Sequence, residues 1–312
     1  MAKSLVTGGA GFIGSHLVRR LIAEGHEVTV LDNLSTGSRA NLAEVEPAIR
    51  FVEGDIRHQG LLARLMSGID YVFHQAALPS VPRSIADPAA SHDVNVNGTL
   101  NLLLAAREAG VRRVICAASS SAYGNTAVLP KVESMPATPR SPYAVTKYVG
   151  ELYCQVFHQV YGLETVALRY FNVFGPRQSP RSQYAAAVPR FIHALLHREP
   201  PVIYGDGEQT RDFTYVENVV DANLRAALAP AEAVAGQVFN IGCGDRISLN
   251  RLVAELQEIL GVSIPPRYEP SRTGDVRDSQ ADIAKARQAF GYTPAIGLAE
   301  GLRRTVAWFQ AK

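Results

Sequence analysis

The chain has 312 residues, of which 47% are hydrophobic, and a formal net charge of +2. That length holds one large domain or two smaller ones sharing a cleft. The charge balance gives no reason to expect a nucleic acid or an anionic membrane as partner. The three cysteines, Cys116, Cys154 and Cys243, lie far apart without metal-type spacing. They read as free thiols in a reducing cytosol, with no metal site. No apolar run reaches about 18 residues, so no membrane span is expected. The chain enters Lys3-Ser-Leu-Val-Thr7 with no signal-peptide pattern, so the cytoplasm is the expected location. The Asn-x-Ser/Thr triplets at Asn33 and Asn97 then read as chance.

Residues 4–7 are a short β-type run. Gly8-Gly-Ala-Gly11-Phe-Ile-Gly14 follows, then Leu17, Val18, Leu21 and Ile22 at helical spacing, then a second β run, Val28 to Leu31, ending at Asp32. Strand, glycine turn, helix, strand and acid in that order describe a dinucleotide-binding βαβ unit. The first glycines allow a tight turn. Gly11 lets backbone N–H groups approach a pyrophosphate at the helix N-terminus, and Gly14 lets helix and strand pack closely. The gaps here are Gly8-x-x-Gly11-x-x-Gly14. Asp32 is placed to accept hydrogen bonds from an adenosine ribose. That favours NAD over NADP, because a 2′-phosphate would meet a carboxylate, though nearby Arg39 can blunt the preference.

Phe51 to Ile56 reads as a third strand ending in an acid, with Asp55 either meeting an adenine amino group or serving a plain turn. Asp70 to His74 is a fourth strand leading into Gln75-Ala76-Ala77, where small side chains let a cofactor pass close to the backbone. His74, inside an apolar strand, reads as a satisfied core histidine. Residues 88–109 carry helical spacing with Asn95 and Asn97 inside. Arg113 to Ala118 is the fifth strand and runs into the hydroxyl cluster Ser119-Ser120-Ser121. The end of a parallel strand is where ligand chemistry occurs in open α/β sheets.

Residues 125–140, with three prolines, read as a loop. Ser141-Pro-Tyr143-Ala-Val-Thr-Lys147 then opens a helix, with Ser141 as cap and Pro142 in its first turn. Tyr143 and Lys147, four apart, share one helix face. A tyrosine with a pKa of about 10 is a poor base near neutrality; a neighbouring ammonium and a cofactor cation can lower it toward a phenolate. Alone, this pair also fits an ordinary helix surface. The strand-end serines and the dinucleotide turn give it a chemical reading. Glu164 to Arg169 is a sixth strand. The alternation of strands and helices predicts an α/β fold built on a doubly wound parallel sheet.

Beyond Gly175, prolines break the rhythm and short elements replace long ones, which predicts a smaller C-terminal α/β lobe. Helices are expected at 217–228, 249–260 and 296–310. The division expected is 1–171 for the dinucleotide domain and 172–312 for the substrate lobe, with part of 213–240 returning to the sheet. Arg211 and Arg272 are either phosphate grips or ordinary paired arginines.

Together, Thr7-Gly-Gly-Ala-Gly-Phe-Ile-Gly14, Ser119, Tyr143-x-x-x-Lys147, Arg169-Tyr-Phe-Asn172 and Arg211-Asp-Phe-Thr-Tyr-Val216 resemble the extended short-chain dehydrogenase/reductase family over essentially the whole chain. Within it the chain is similar to nucleotide-sugar 4-epimerases, above all bacterial UDP-N-acetylglucosamine 4-epimerases. Ala118-Ser-Ser-Ser, Ser141 to Val149, Tyr170 to Gly175 and Gly274 to Ser279 carry that likeness.

The resemblance implies a Rossmann-type domain, NAD as cofactor, a UDP-hexose as substrate and a homodimer built on the helices of 88–109 and 143–161. It implies Tyr143 as base, Lys147 on the nicotinamide ribose and Ser119 on the reacting hydroxyl. It extends the cofactor site to Phe12, Ile13, Asn33, Ser35, Gly37, Ile56, Asn95, Tyr170 and Val173. It places Ser80, Ser120, Ser121, Asn172, Ala187, Val188 and Tyr204 on the substrate. Arg211 and Arg272 would clamp the diphosphate, and Asp275 the uridine ribose.

Glucose-specific relatives often carry a tyrosine where Ser279 falls, so this chain should have room for an acetamido group. Pro79 departs from the Gly-Ser pair of similar N-acetyl enzymes, leaving Ser80 but stiffening the loop. Dehydratases of the family put Asp-Glu directly after the Ser/Thr, and decarboxylases put Glu nearby. Here Ser120 and Ser121 stand instead. A UDP-glucuronate 4-epimerase remains an alternative reading, as does a non-enzymatic NAD-binding regulator on the same fold.

Overall fold

The computed structural model describes residues 1–180, 186–271 and 276–312. Its centre is a seven-stranded parallel sheet. The strands are β1 (Lys3–Thr7), β2 (Glu27–Asp32), β3 (Ile49–Glu53), β4 (Tyr71–His74), β5 (Arg113–Ser119), β6 (Glu164–Tyr170) and a last strand, Gln237–Ile241. Their order across the sheet is β3, β2, β1, β4, β5, β6, Gln237–Ile241. The chain winds outward in both directions from the β1–β4 seam. The carboxyl ends of those two strands therefore border a crevice.

The inner strands are largely apolar on both faces because helices cover both, whereas the edge strand β3 keeps Arg50 and Glu53 exposed. Val6, Val30, Phe73 and Ile115 join the core under the helices Phe12–Ala23 and Val216–Leu228. Their neighbours Leu5, Leu31, Val72 and Val114 point the other way, into the core under Gly98–Glu108 and Pro142–Tyr161. Successive strand side chains alternate faces, so one short apolar run feeds two cores. A third core, with Phe174, Phe191, Leu252, Leu256 and Leu302, holds the C-terminal lobe together. The chain leaves the sheet after β6 and returns to it through Val216–Leu228 and Gln237–Ile241, which pairs with β6. Among the described residues no helix is long and apolar enough to cross a membrane.

Two elements differ from the sequence reading. The third strand stops at Glu53, short of Asp55, because the Asp55 carboxylate takes the Arg57 amide at 2.9 Å and turns the chain. The helix expected over 88–109 is three pieces: Pro88–His92, a π turn at Asp93–Asn97, and Gly98–Glu108. Wide π turns of this kind often accompany functional sites. Here the turn carries Asn95, which is buried.

Behind the sheet end lies a buried ion pair. Arg169, at the end of β6, donates through Nε and Nη2 to Glu151 of the helix Pro142–Tyr161, with the shortest contact 2.7 Å. Both side chains are almost wholly buried, and the guanidinium lies 4.6 Å from the Tyr123 ring. Removing one partner strands the other charge in the core. Glu151→Gln is expected to cost about 3–5 kcal/mol, read as a lower urea midpoint; an unchanged midpoint would show that the pair contributes nothing net.

Candidate active site

Three connected hollows open along the carboxyl edge of the sheet. The first lies over the glycine turn and is lined by Gly8, Gly11 to Gly14, Asp32, Asn33, Ser35, Asp55, Ile56, Gln75 to Ala77, Tyr143, Lys147 and Tyr170. The second, larger one is lined by Ser80, Ser119 to Ser121, Tyr143, Tyr170, Asn172, Arg211 and Ser279. The third runs into the C-terminal lobe between Ala187, Val188, Tyr204 and Arg211. Tyr143 and Tyr170 belong to the walls of the first and second; Asn172 and Arg211 belong to the second and third.

The first hollow has the chemistry of a dinucleotide cradle. Gly11 begins the helix Phe12–Ala23 with no side-chain cap and no acid in the first turn. Its first N–H groups therefore face outward for an anion. A side chain at Gly14 would come within 2.1 Å of the Gly8 carbonyl oxygen, so only glycine lets the helix start this close to the turn. Asp32 closes the turn from the far side, accepting the Ala10 amide at 2.9 Å and the Leu34 amide at 2.8 Å. Burial raises its pKa, and those two amides oppose the rise. Each oxygen takes one of these bonds and keeps a second lone pair for a ribose hydroxyl.

Asp55 is bonded within the protein. Its Oδ1 accepts from the Arg57 amide and Nε, and its Oδ2 from Arg57 Nη2 and Asn33 Nδ2. These bonds hold the carboxyl down at about 2, with Arg57 the main cause. Four donors thus converge on the two oxygens of a carboxylate that also lines the hollow.

Asn95 supports the cleft from behind. Its amide oxygen takes the Leu78 amide at 2.7 Å, and its Nδ2 donates to the Leu78 carbonyl and to Thr146 Oγ1. It pins the loop after β4 to the helix bearing Tyr143. Gly37 packs against Ala10 behind the turn, and Val173 faces the substrate-side hollows. His74 is a core residue, bonded to Thr7 Oγ1 at 2.7 Å and Thr99 Oγ1 at 3.0 Å, with burial pushing its pKa down to about 3.

Tyr143 and Lys147 face one hollow from adjacent helical turns. Ser141 caps their helix, accepting the Ala144 amide at 3.2 Å. The Tyr143 amide itself donates to the buried hydroxyl of Ser84, 2.9 Å away. On the substrate side, Ser119 hydrogen-bonds the Tyr143 phenol, and Ser119 Oγ also accepts from Ser121 Oγ at 2.9 Å.

Electrostatically the protein's own groups do not make Tyr143 acidic. Burial raises its pKa above the ordinary value, and the Ser119 hydroxyl pulls the other way. Burial also lowers Lys147, opposed by the neighbouring Cys116, Glu151 and Cys154. For the phenol, desolvation thus outweighs the lowering by the Ser119 hydroxyl.

Several supporting residues carried no signal in the sequence. Asn223, wholly buried, holds the Tyr170 phenol together with Gln75. Ser84 and Thr146 look like any small helix residues. Arg272 and Asp275 lie outside the described residues. Among the described residues no group of His, Cys, Asp and Glu could hold a metal ion.

A model of the NAD dependent epimerase/dehydratase family matches residues 4–242. The UDP-glucose 4-epimerase of Mycolicibacterium smegmatis is 43% identical over 316 residues, 99% of each chain. Among solved structures, a UDP-N-acetylglucosamine 4-epimerase from Methanobrevibacter ruminantium, in complex with UDP-N-acetylmuramic acid, has a TM-score of 0.94 at 41% identity, covering 99% of this chain and 98% of that one. The UDP-glucose 4-epimerase of Thermotoga maritima, solved with UDP-glucose, has a TM-score of 0.94 at 41% identity, with 99% of both chains covered.

Proposed function

The chain belongs to the NAD dependent epimerase/dehydratase family, and from that premise we propose that it is a UDP-sugar 4-epimerase. Its preferred pair is UDP-N-acetylglucosamine and UDP-N-acetylgalactosamine, with UDP-glucose and UDP-galactose as further substrates. The observation that carries this reading is the place of Tyr143, in the shared wall of the dinucleotide hollow and the sugar hollow.

The residues present suit NAD: the uncapped helix start for the pyrophosphate, Asp32 for the adenosine ribose, Lys147 for the nicotinamide ribose and Tyr170 beside the ring. Bound there, NAD supplies the group that takes the C4 hydride and gives it back, together with a positive charge beside Tyr143. Tyr143 removes the proton of the sugar 4-hydroxyl and later returns it. Ser119 orients that hydroxyl. A phenol at about 10 must fall by about three pH units to act near neutrality, roughly 4 kcal/mol. Burial works against this in the protein itself, so the fall depends on cations brought close in a partly dry site.

The substrate lobe supplies grip. Arg211 reaches the diphosphate, Asn172, Ala187, Val188 and Tyr204 hold the uridine side, and Ser80, Ser120 and Ser121 surround the sugar. Among the described residues lining the sugar hollow, Asp278 is the one carboxylate, and it is tied to Thr210 Oγ1 at 2.6 Å. That leaves no acid–base pair for the C5 and C6 chemistry of a dehydratase. Arg83 and Arg140 in the same wall favour a second reading, UDP-glucuronate as substrate, through its carboxylate. A non-enzymatic regulator would have no need of the Ser119, Tyr143 and Lys147 set.

The proposed dimer uses the outer face of Pro142–Tyr161, where Val145, Leu152, Val156 and Val160 stay 41–64% exposed in one stripe. Such a stripe on a surface helix is suited to burial against a second copy.

Three outcomes are expected. Tyr143→Phe should lower turnover of every UDP-sugar about 10²- to 10⁴-fold in a chromatographic epimer assay; wild-type rates in that variant would remove Tyr143 as the base. Comparing UDP-N-acetylglucosamine, UDP-glucose and UDP-glucuronate in the same assay, Ser279→Tyr should abolish turnover of the first and spare the second, and equal rates on both would sink the gate. Val156→Glu should shift the protein from dimer to monomer in sedimentation; a monomeric wild type, or a variant that stays dimeric, would dispose of this face.

A further inference from the structure

Asp212 follows Arg211 directly and is wholly buried. Among the described residues its carboxylate is bonded by backbone amides and by no cation. Oδ1 accepts the Cys243 amide at 2.8 Å, and Oδ2 accepts the Gly244 and Ala281 amides at 3.0 Å each. Its own carbonyl takes the Asn172 side-chain amide at 3.2 Å. Burial pushes the carboxyl up to about 6, with the three amides pulling it back. A lone carboxylate is expensive to bury, and three backbone donors offset that cost only while they converge on it.

The geometry of those donors has a direction. Ala281 ends the segment 276–281, which runs beside the strand Thr210–Arg211 and presents Val276, Asp278 and Ser279 to the sugar hollow. The same segment is tied at other points: the Ser279 amide to the Thr210 carbonyl at 3.1 Å, the Thr210 hydroxyl to Asp278 at 2.6 Å, and Arg211 Nη1 to the Arg277 carbonyl at 3.0 Å. Arg211 and Ser279 come from parts of the chain 68 positions apart, and Thr210 and Asp212 are among the residues that fasten one part to the other.

We propose that Asp212, assisted by Thr210, is a positioning residue for nucleotide-sugar binding: its carboxylate clasps the segment 276–281 to the Arg211 strand and so fixes the distance between the diphosphate grip and the sugar pocket. This rests on the UDP-sugar reading above, and it assigns Asp212 no part in proton or hydride transfer. In Asp212→Asn one oxygen becomes an NH2 group facing backbone N–H donors, so the clasp opens while the volume is kept.

The test uses the full-length protein with its bound cofactor. Calorimetric titration with UDP should show Kd raised roughly tenfold or more in Asp212→Asn, and UDP-N-acetylglucosamine assays should show KM raised with kcat within about threefold of wild type. Bound-cofactor content should not change. Thr210→Val, which removes the hydroxyl's bond to Asp278 and leaves only the longer amide contact at 3.3 Å, should shift Kd and KM in the same direction by less, and it decides the matter if Asp212→Asn does not fold. Unchanged UDP affinity in Thr210→Val, or a loss confined to kcat, overturns the proposal. A wild type that binds UDP but epimerises no UDP-sugar would refute the proposed activity, and the Kd comparison would still decide the role of Asp212. A wild type that binds no UDP refutes both.

Discussion

One hydrogen bond fixes where the chemistry happens. The Tyr143 amide donates to the hydroxyl of Ser84, a residue on the short helix Val81–Ala86 that packs beside it. An amide in the first turn of a helix has no partner within that helix. Here the buried Ser84 supplies one, and its own proton goes to the Val81 carbonyl at 2.8 Å. Thr146 is bonded to Asn95, and Asn95 to both polar atoms of Leu78. The helix bearing Tyr143 and Lys147 is thus clamped to the loop after β4 that lines the dinucleotide hollow. A shift of the loop moves the tyrosine with it. Placement at this level governs rates, because misplacement by about 1 Å can cost two orders of magnitude.

Charge around the site is distributed in depth. Lys147 faces the cleft, Glu151 lies one turn behind it, and Arg169 locks Glu151 from the end of β6. Glu151 and Arg169 are buried and Lys147 is half-buried, and each leans on the next. Glu151 raises the pKa of Lys147 against the desolvation that lowers it. A lone lysine in that position would lose its proton more readily. Meanwhile burial makes the Tyr143 phenol harder to ionise. A site dry enough to make electrostatics strong thereby depends on a bound cation to complete it.

The substrate side is assembled differently. Its residues come from the end of β6, the start of Ala187–Leu196, the strand Thr210–Arg211 and the segment after residue 275. Short strands and isolated bridges join them, so side chains such as Asp212 and Asp278 do what extended sheet does in the first domain. The dinucleotide hollow is built on long elements with deep cores. The second hollow is built on loops held by polar bonds, and loops vary more readily than the elements they connect.

The sequence by itself determined the parallel sheet, the glycine turn with Asp32, the capped helix that sets Tyr143 and Lys147 on one face, and the hydroxyls at the end of β5. Each is written in local order: apolar runs of period 2 or 3.6, glycines at fixed gaps, a cap three residues before the amide it accepts. Tertiary structure alone decided that Asn95 spends its amide on Leu78 and Thr146, that Asp55 is bonded by Arg57 and Asn33, that the helix at 93–97 widens into a π turn, and that Asn223 and Asp212 hold parts of the site. Most of those outcomes depend on which groups the packing brings within hydrogen-bonding distance: Asn95 meets Leu78 and Thr146, 17 and 51 positions away, and Asp212 meets Cys243 and Ala281, 31 and 69 positions away. A buried polar group must take whatever partner the packing brings to it, and local sequence does not name that partner.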